Sequence, residues 1–123
     1  LDLLGLARRA GAVAMGAHQV EVEFRRAPPI AWIEASDGAV EGREKLRRMV
    51  FGLWGEEPKV VGCFTAAQLG VALGRDHVVH ACLLQERMAH RWMADIGRLS
   101  GFSAITPASW RTGPDPGGDA TPG

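Results

Sequence analysis

The sequence predicts an α/β protein, a three-layer α–β–α sandwich built on a small four-stranded mixed sheet. Segments with helical periodicity alternate with short apolar runs, and most changes of pattern coincide with a glycine, a proline or a helix-capping residue. At 123 residues, the chain has room for one hydrophobic core. Its 46% of hydrophobic and 23% of charged residues are ordinary for a soluble globular protein.

The alternation predicts four or five helices over four strands. The helices are expected at 3–10, 17–26, 38–51, 65–73 and 84–100, and the strands at 12–15, 30–33, 60–63 and 77–83. The composition changes after residue 104, where the rest of the chain includes four prolines and few apolar side chains. We therefore expect a folded module over residues 1–104 and a flexible tail over residues 105–123.

Glycine, proline and capping residues set the boundaries in the first half. Gly11 is a plausible stop for the first helix, and the pair Pro28 and Pro29 cannot continue the second. Ser36 and Asp37 are N-cap candidates for the third helix. The apolar stripe of that helix is expected to contain Leu46, Met49, Val50 and Leu53, followed by a loop over 52–58.

The second half has equally clear signals. Thr65 and Gln68 have the spacing of a capping box, and Gly74 should end the helix that they begin. Apolar residues recur every four positions in the last helix: Leu84, Met88, Trp92 and Ile96. Trp32 and Trp92 lie at core-facing positions, which leaves Trp54 and Trp110 as the candidates for exposed aromatic contacts.

Charge and cysteine content narrow the class of protein. Lys and Arg total 14 and Asp and Glu total 14, so the net charge of zero argues against sequence-blind binding of a polyanion. It is compatible with a local site that recognises shape. Twelve of the basic residues are Arg, which suits bidentate phosphate contacts but equally reflects a GC-rich genome. No membrane span or signal peptide is visible, so we expect a cytoplasmic protein in which Cys63 and Cys82 are reduced.

Motifs of catalysis are missing from the sequence. It contains no GxGxxG, Walker, GxSxG or HExxH pattern, and its acidic residues are scattered, so we expect no enzymatic activity and no cofactor. His77, His80 and Cys82 have ligand types that zinc accepts. On a strand, however, His77 and His80 would point to opposite faces, whereas His80 and Cys82 would share one. We therefore interpret all three as ordinary strand residues and expect no metal.

The most informative segment surrounds Gly16. A strand leads into this glycine, and a helix follows, so unpaired N–H groups should point outward at the helix start. A glycine lets a phosphate or a base edge approach closely. His18 and Gln19 then place hydrogen-bonding groups in the first turn, where Gln can read a base edge. An ordinary β–α turn with polar surface residues explains the same spacing.

Several motifs resemble those of the kink-turn RNA-binding ribosomal protein superfamily, and more narrowly its bacterial YlxQ-type branch. They are Leu4-Gly-Leu-Ala-Arg-Arg-Ala-Gly11, Met15-Gly-Ala-His-Gln-Val20, Ile33-Glu-Ala-Ser-Asp37, Thr65-Ala-Ala-Gln-Leu-Gly70 and Leu73-Gly-Arg-Asp-His-Val-Val79. The resemblance covers residues 1–102. It implies an α–β–α sandwich that binds structured RNA at one edge, with the second helix start at sheared G·A pairs and the loop after the fourth helix against a flipped-out nucleotide.

The resemblance also implies which residues bind RNA. They are Gly16, Ala17, His18 and Gln19 at the helix start, and Gly74, Arg75, Asp76, His77 and Val78 in the loop. His18 stands where the family has Asn, Gln19 where it has Glu, Glu21 where it has Thr and Val22 where it has Lys. Arg8 and Arg9, and further along Arg25 and Arg26, are candidate phosphate contacts.

Two hypotheses about function follow. In the first, the chain is a non-enzymatic module for kink-turn or rRNA-like targets, linked to the ribosome or to the transcription and translation machinery. In the second, a domain of the same fold has lost kink-turn recognition and binds proteins instead. The resemblance further implies that an upstream YlxR-type domain can precede this module, which fits a chain that begins without methionine.

Overall fold

The structure is a computed structural model that describes residues 2–100. Five helices and four strands alternate along these residues. They are α1 (Asp2–Arg9), β1 (Val13–Met15), α2 (Ala17–Arg26), β2 (Trp32–Glu34), α3 (Val40–Trp54), β3 (Val60–Val61), α4 (Ala66–Leu73), β4 (His80–Leu83) and α5 (Glu86–Ser100). The predicted α–β–α sandwich with a mixed four-stranded sheet is confirmed. The predicted tail, with Trp110, lies outside the described residues.

The sheet has the strand order β1-β4-β2-β3. β4 pairs antiparallel with both β1 and β2, whereas β2 pairs parallel with β3. The register places Met15 opposite Ala81 and Glu34 opposite His80. The C-terminal ends of β1 and β2 and the N-terminal end of β4 therefore meet at one end of the sheet.

Helices cover both faces of the sheet. On one face, α2 and α3 bury apolar side chains against it: Val20, Phe24, Leu46 and Val50 pack with Ala14, Trp32 and Cys82. On the other face, α1, α4 and α5 enclose the larger cluster, which includes Leu4, Leu69, Leu73, Trp92 and Ile96 with Ile33 and Ala81. The prediction that Trp32 and Trp92 belong to the core is confirmed, because both are at most 2% exposed.

The third helix differs most from its prediction. Its N-cap is Ala39, with no side-chain cap, and neither Ser36 nor Asp37 serves it. Asp37 instead accepts a hydrogen bond at Oδ1 from the Ala66 N–H, 2.9 Å away, at the start of α4. A cap candidate read from local sequence was wrong here because its acceptor serves a helix 29 residues further along the chain.

The end of α3 was also placed too early. The helix continues through Gly52 to Trp54, and Gly55 ends it in the left-handed conformation, with φ +77°. Leu53 is 46% exposed and does not belong to the buried stripe. Trp54, the candidate for an exposed aromatic contact, is 37% exposed, and its indole Nε1–H donates to the Phe24 carbonyl at 2.8 Å.

Other boundaries shift by a few residues. The second strand starts at Trp32 and includes Glu34, because Glu34 pairs with β4, and β3 ends before Cys63. The fourth strand starts at His80, so the prediction of a strand over 77–79 was wrong, and α5 begins at Glu86 with Leu84 exposed before it. Both hydrogen bonds of the predicted Thr65 capping box are present, and Gly74 ends α4.

Both cysteines are free thiols, with Cys82 buried and Cys63 partly buried. His80 and Cys82 share one face of β4 as predicted, whereas His77 lies in the preceding loop. Within residues 2–100, no three side chains of His, Cys, Asp or Glu come together as a metal site. None of the helices in that range combines the length and apolarity needed to cross a lipid bilayer.

Burial of Cys82 makes stability depend on pH above neutrality. Burial raises the pKa of its thiol from the ordinary value of 9.0 to about 12, and the Glu23 carboxylate adds to the rise. Between these values the unfolded chain loses a proton that the folded chain keeps. We therefore expect this thiol to lower the free energy of unfolding by about 1.4 kcal/mol between pH ~8 and pH ~10. Urea unfolding of wild type and Cys82→Ala at both pH values measures this change in stability. If both proteins lose the same free energy of unfolding between the two pH values, the prediction is wrong.

Candidate nucleic-acid interface

Gly16 joins β1 to α2 in a backbone conformation that favours glycine, with φ +91°. Its N–H donates to the His80 carbonyl at 2.9 Å, and its own carbonyl accepts from the Val20 N–H at 3.0 Å. A Cβ built on Gly16 would meet no atom within 4 Å. The backbone conformation selects glycine here, and the space beside it is open.

The first turn of α2 leaves backbone donors available. No side chain caps the helix, and its first turn contains no acidic residue. The N–H groups of Ala17, His18 and Gln19 lie where the helix itself supplies no acceptor, and all three residues are exposed. The helix dipole adds partial positive charge at this end. This segment can therefore accept an anionic or carbonyl-bearing ligand.

The loop after α4 is held against the helix by backbone hydrogen bonds. Gly74 caps α4 in the left-handed conformation, with φ +71°. The Arg75 N–H donates to the Gly70 carbonyl at 2.8 Å, and the Val78 N–H donates to the Ala66 carbonyl at 3.0 Å. The chain between these bonds consequently runs back along α4 toward the start of β4.

Gly70 allows this close approach. A Cβ built on it would lie 2.7 Å from the Asp76 carbonyl oxygen and 2.8 Å from that of Arg75. Both atoms belong to the backbone, so neither can move aside as a flexible side chain would. Any larger residue at position 70 must therefore push the loop outward.

The two segments meet in one open cavity of about 230 Å³ at the end of the sheet, which we call the Gly16 notch. The residues that line it are Met15, Gly16, Arg75, His77, Val78, Val79 and His80. One arginine and two histidines are among them, and no carboxylate is. The cavity wall therefore carries one positive charge and two imidazoles, although Asp76 is exposed in the same loop and the whole chain carries no net charge.

Most residues predicted for the site lie in or beside the notch. Gly16, Arg75 and His77 line it, and Ala17, His18 and Gln19 continue from it along α2. Gly74 and Asp76 are exposed in the loop. Val78 also lines the notch, but it is only 5% exposed and belongs to the core cluster, so its side chain supports the loop from below.

The predicted arginines divide into two groups. The Arg8 guanidinium lies over the loop, with its Cζ 2.9 Å from where a Gly74 Cβ would be. Arg9 turns back along its own helix, with Nη1 3.7 Å from the corresponding position on Gly5. Arg8 therefore extends the basic surface next to the notch, whereas Arg9 does not line it.

Arg25 and Arg26 lie in the last turn of α2, at the opposite end of the helix from Gly16. Ten residues of helix separate the two ends by about 15 Å. Arg25 pairs with Glu21 at 3.1 Å and Arg26 with Glu23 at 3.6 Å. These two arginines are thus remote from the notch and already have carboxylate partners.

Beneath the notch lies a buried polar network that the sequence did not reveal. The Glu34 carboxylate is 1% exposed and accepts from Trp32 Nε1–H at 2.7 Å. His80 Nδ1 lies 2.7 and 2.9 Å from its two oxygens. Burial lowers the pKa of the Arg43 guanidinium, and the Glu34 charge partly offsets this effect. The carboxylate thus has donors on β2 and β4, and Arg43 supplies positive charge from α3.

A signal for this network existed in the sequence. Glu34 lies two positions after Trp32, and His80 two positions before Cys82, so each polar residue shares a strand face with a core residue. Our interpretation ended the strand before Glu34 and therefore left it outside the core. Pairing of the two positions depends on the register between β2 and β4, which local sequence does not specify.

Replacing Gly70 by alanine should displace the loop 75–77 and reshape the notch. Because the new Cβ would overlap two backbone carbonyls, we expect a loss of stability of about 2 kcal/mol or more. Amide chemical shifts of Arg75 and His77 should change. Gly52→Ala in α3 is the control, since open space surrounds that glycine and stability should not fall. Unchanged loop shifts in the Gly70 variant would contradict this prediction.

Replacing Glu34 by glutamine should destabilise the fold strongly. The change removes the Glu34 charge, which acts on the buried Arg43, and weakens the bond to His80, at a cost of about 3 kcal/mol. The control is Glu21→Gln, whose partner Arg25 is exposed, with an expected cost below about 1 kcal/mol. Urea unfolding measures both, and equal effects of the two substitutions would show that the buried network carries no special weight.

The fold and the notch together define an α–β–α sandwich with a candidate anion-binding edge. No protein-family model and no curated protein matches the chain. A solved structure from Bacillus halodurans, described as a protein with unknown function, is similar in sequence and in fold. It is 28% identical, with a TM-score of 0.64, over 76% of this chain and 91% of that one.

Proposed function

We propose that this chain is a non-enzymatic, cytoplasmic module that binds structured RNA, a kink-turn or an rRNA-like element, at the Gly16 notch. The observation that supports this most is that the α2 start and the loop 75–79 line one open cavity. The lining contains Arg75 and His77 and no carboxylate. The motif resemblance to kink-turn RNA-binding proteins supports the same pair of segments.

The chemistry of the notch suits a folded polynucleotide. Free N–H groups at the start of α2 bind a phosphate or a base carbonyl, and the Gln19 side chain can form two hydrogen bonds to a base edge. The absence of a Cβ on Gly16 leaves room for a base or a sugar to approach the backbone. Arg75, with Arg8 beside Gly74, supplies charge for the flanking phosphates.

Recognition of shape fits the charge of the whole chain. A net charge of zero supplies little of the long-range attraction on which non-specific binding depends. Two basic groups, Arg75 and Arg8, instead lie in or beside one concave surface. We therefore propose a target whose bent backbone brings phosphates and an unstacked base to that surface together. The ribosome and the transcription and translation machinery are the proposed setting, and an upstream YlxR-type domain is a proposed neighbour in the same protein.

Binding to a panel of kink-turn and ribosomal RNA fragments over a salt series tests the proposal. His18→Ala with Gln19→Ala should weaken binding to the preferred fragment by about tenfold or more, because base contacts are lost. Arg75→Ala should lower the salt slope by about one. The control is Arg25→Ala with Arg26→Ala, which removes two charges far from the notch. If the paired arginine change weakens binding as much as the His18 and Gln19 change, the notch is not the RNA site.

A protein-interaction domain of the same fold is the alternative function. Two observations favour it: Val22, where the resembling family has Lys, is 37% exposed, and the chain has no net charge. Affinity capture after nuclease treatment separates the two functions. Recovery of defined proteins without RNA, together with no affinity for any fragment of the panel, would favour the alternative.

A further inference from the structure

Two cavities of about 210 Å³ each lie side by side around Pro28 and Pro29, which line both. The first cavity is further lined by Glu23, Leu84 and Glu86, and the second by Trp54, Glu56 and Glu57. We call these eight residues together the Pro28–Pro29 surface. It includes segments that follow α2, α3 and β4.

The Pro28–Pro29 surface lies at the opposite end of the sandwich from the Gly16 notch. α2 begins at the notch and ends just before Pro28, while β4 begins at the notch with His80 and ends next to Leu84. The ten residues of α2 alone separate the ends by about 15 Å. A ligand at one end therefore leaves the other end accessible.

Two of the large apolar side chains that the structure leaves exposed, Leu84 and Trp54, lie on this surface. Leu84 is 42% exposed and Trp54 is 37% exposed, and Phe51, one turn before Trp54, is 48% exposed. The Trp54 indole is fixed by its hydrogen bond to the Phe24 carbonyl, so its ring presents a rigid face. Rigid aromatic and proline surfaces lose little conformational entropy when a partner covers them.

The charge on the surface is predominantly negative. Its eight residues include four carboxylates and no base, and Lys59 is the one basic residue that lines either cavity. Glu23 and Glu57 have arginine neighbours, Arg26 and Arg47, but Glu86 forms no ion pair with the residues the structure describes. This charge repels nucleic acid, because each bound phosphate would approach several carboxylates.

We propose that the Pro28–Pro29 surface docks a segment of a partner protein that carries Lys or Arg next to apolar residues. The apolar side chains would enter the cavity floored by Phe24, Ile30 and Leu83. The cations would lie beside Glu86 and Glu23 at its rim. This inference does not rest on RNA binding, since it concerns the other end of the molecule. It predicts that protein and RNA can be bound at the same time.

Three blocked six-residue peptides serve as probes, titrated into the ¹⁵N-labelled 123-residue chain and followed by NMR. One alternates leucine with arginine, one leucine with glutamate and one serine with arginine. We expect the leucine–arginine peptide to shift the Trp54 indole signal and the Ile30 and Leu84 amides. The other two should shift these signals much less, because the leucine–glutamate peptide lacks cations and the serine–arginine peptide lacks apolar side chains.

Two double variants localise the effect. Glu23→Gln with Glu86→Gln should raise the Kd of the leucine–arginine peptide about fivefold, since two rim charges are lost. Glu41→Gln with Asp95→Asn changes the net charge equally but involves carboxylates that line neither cavity of this surface, and it should leave the Kd unchanged. Thermal unfolding confirms that both double variants fold.

Several outcomes would overturn the proposal. If the leucine–glutamate peptide binds as tightly as the leucine–arginine peptide, charge does not contribute to binding. If the two double variants change the Kd equally, the peptide does not bind at this surface. Sedimentation of the chain without peptide tests whether a second copy of the chain occupies this surface. If the chain forms a dimer and the double variant Glu23→Gln with Glu86→Gln is a monomer, the partner is a second copy of this chain. That result would reject the proposed partner.

Discussion

The hydrogen bond between the Gly16 N–H and the His80 carbonyl connects the candidate site to the interior of the protein. The same His80 binds the buried Glu34 carboxylate through its imidazole, and the Glu34 charge acts on Arg43 in α3. The edge of the notch is therefore fixed by a residue that has little freedom to move. A site held this way is formed in advance, which would reduce the entropic cost of binding a ligand there.

Both walls of the notch depend on backbone features more than on side chains. Gly16 takes a conformation that favours glycine, Gly74 ends a helix in the left-handed region, and Gly70 lets the loop contact α4 directly. These three residues shape the cavity through their backbones. Under the proposed function, side-chain selectivity would come from the exposed His18 and Gln19 and from the basic Arg75, so those side chains could change while the architecture stays the same.

The fold class, the helix start at Gly16 and the Thr65 cap could be predicted because their signals are local: hydrophobic period, glycine position and capping spacing. Predictions failed where a residue acts on a distant element. Asp37 caps α4 instead of α3, and Glu34 belongs to a strand because of its pairing with His80. The notch could not be predicted without the strand order. Its two loops are separated by some 60 residues and meet only because β1 pairs with β4, next to the turn after α4.

The strand order has a further consequence for the behaviour of the protein in concentrated solution. β1 and β3 form the two margins of the sheet, with three and two residues respectively. A strand from another molecule would find very few free backbone donors and acceptors at either margin. The short length of the two edge strands thus protects against edge-to-edge polymerisation without requiring lysine or proline within them.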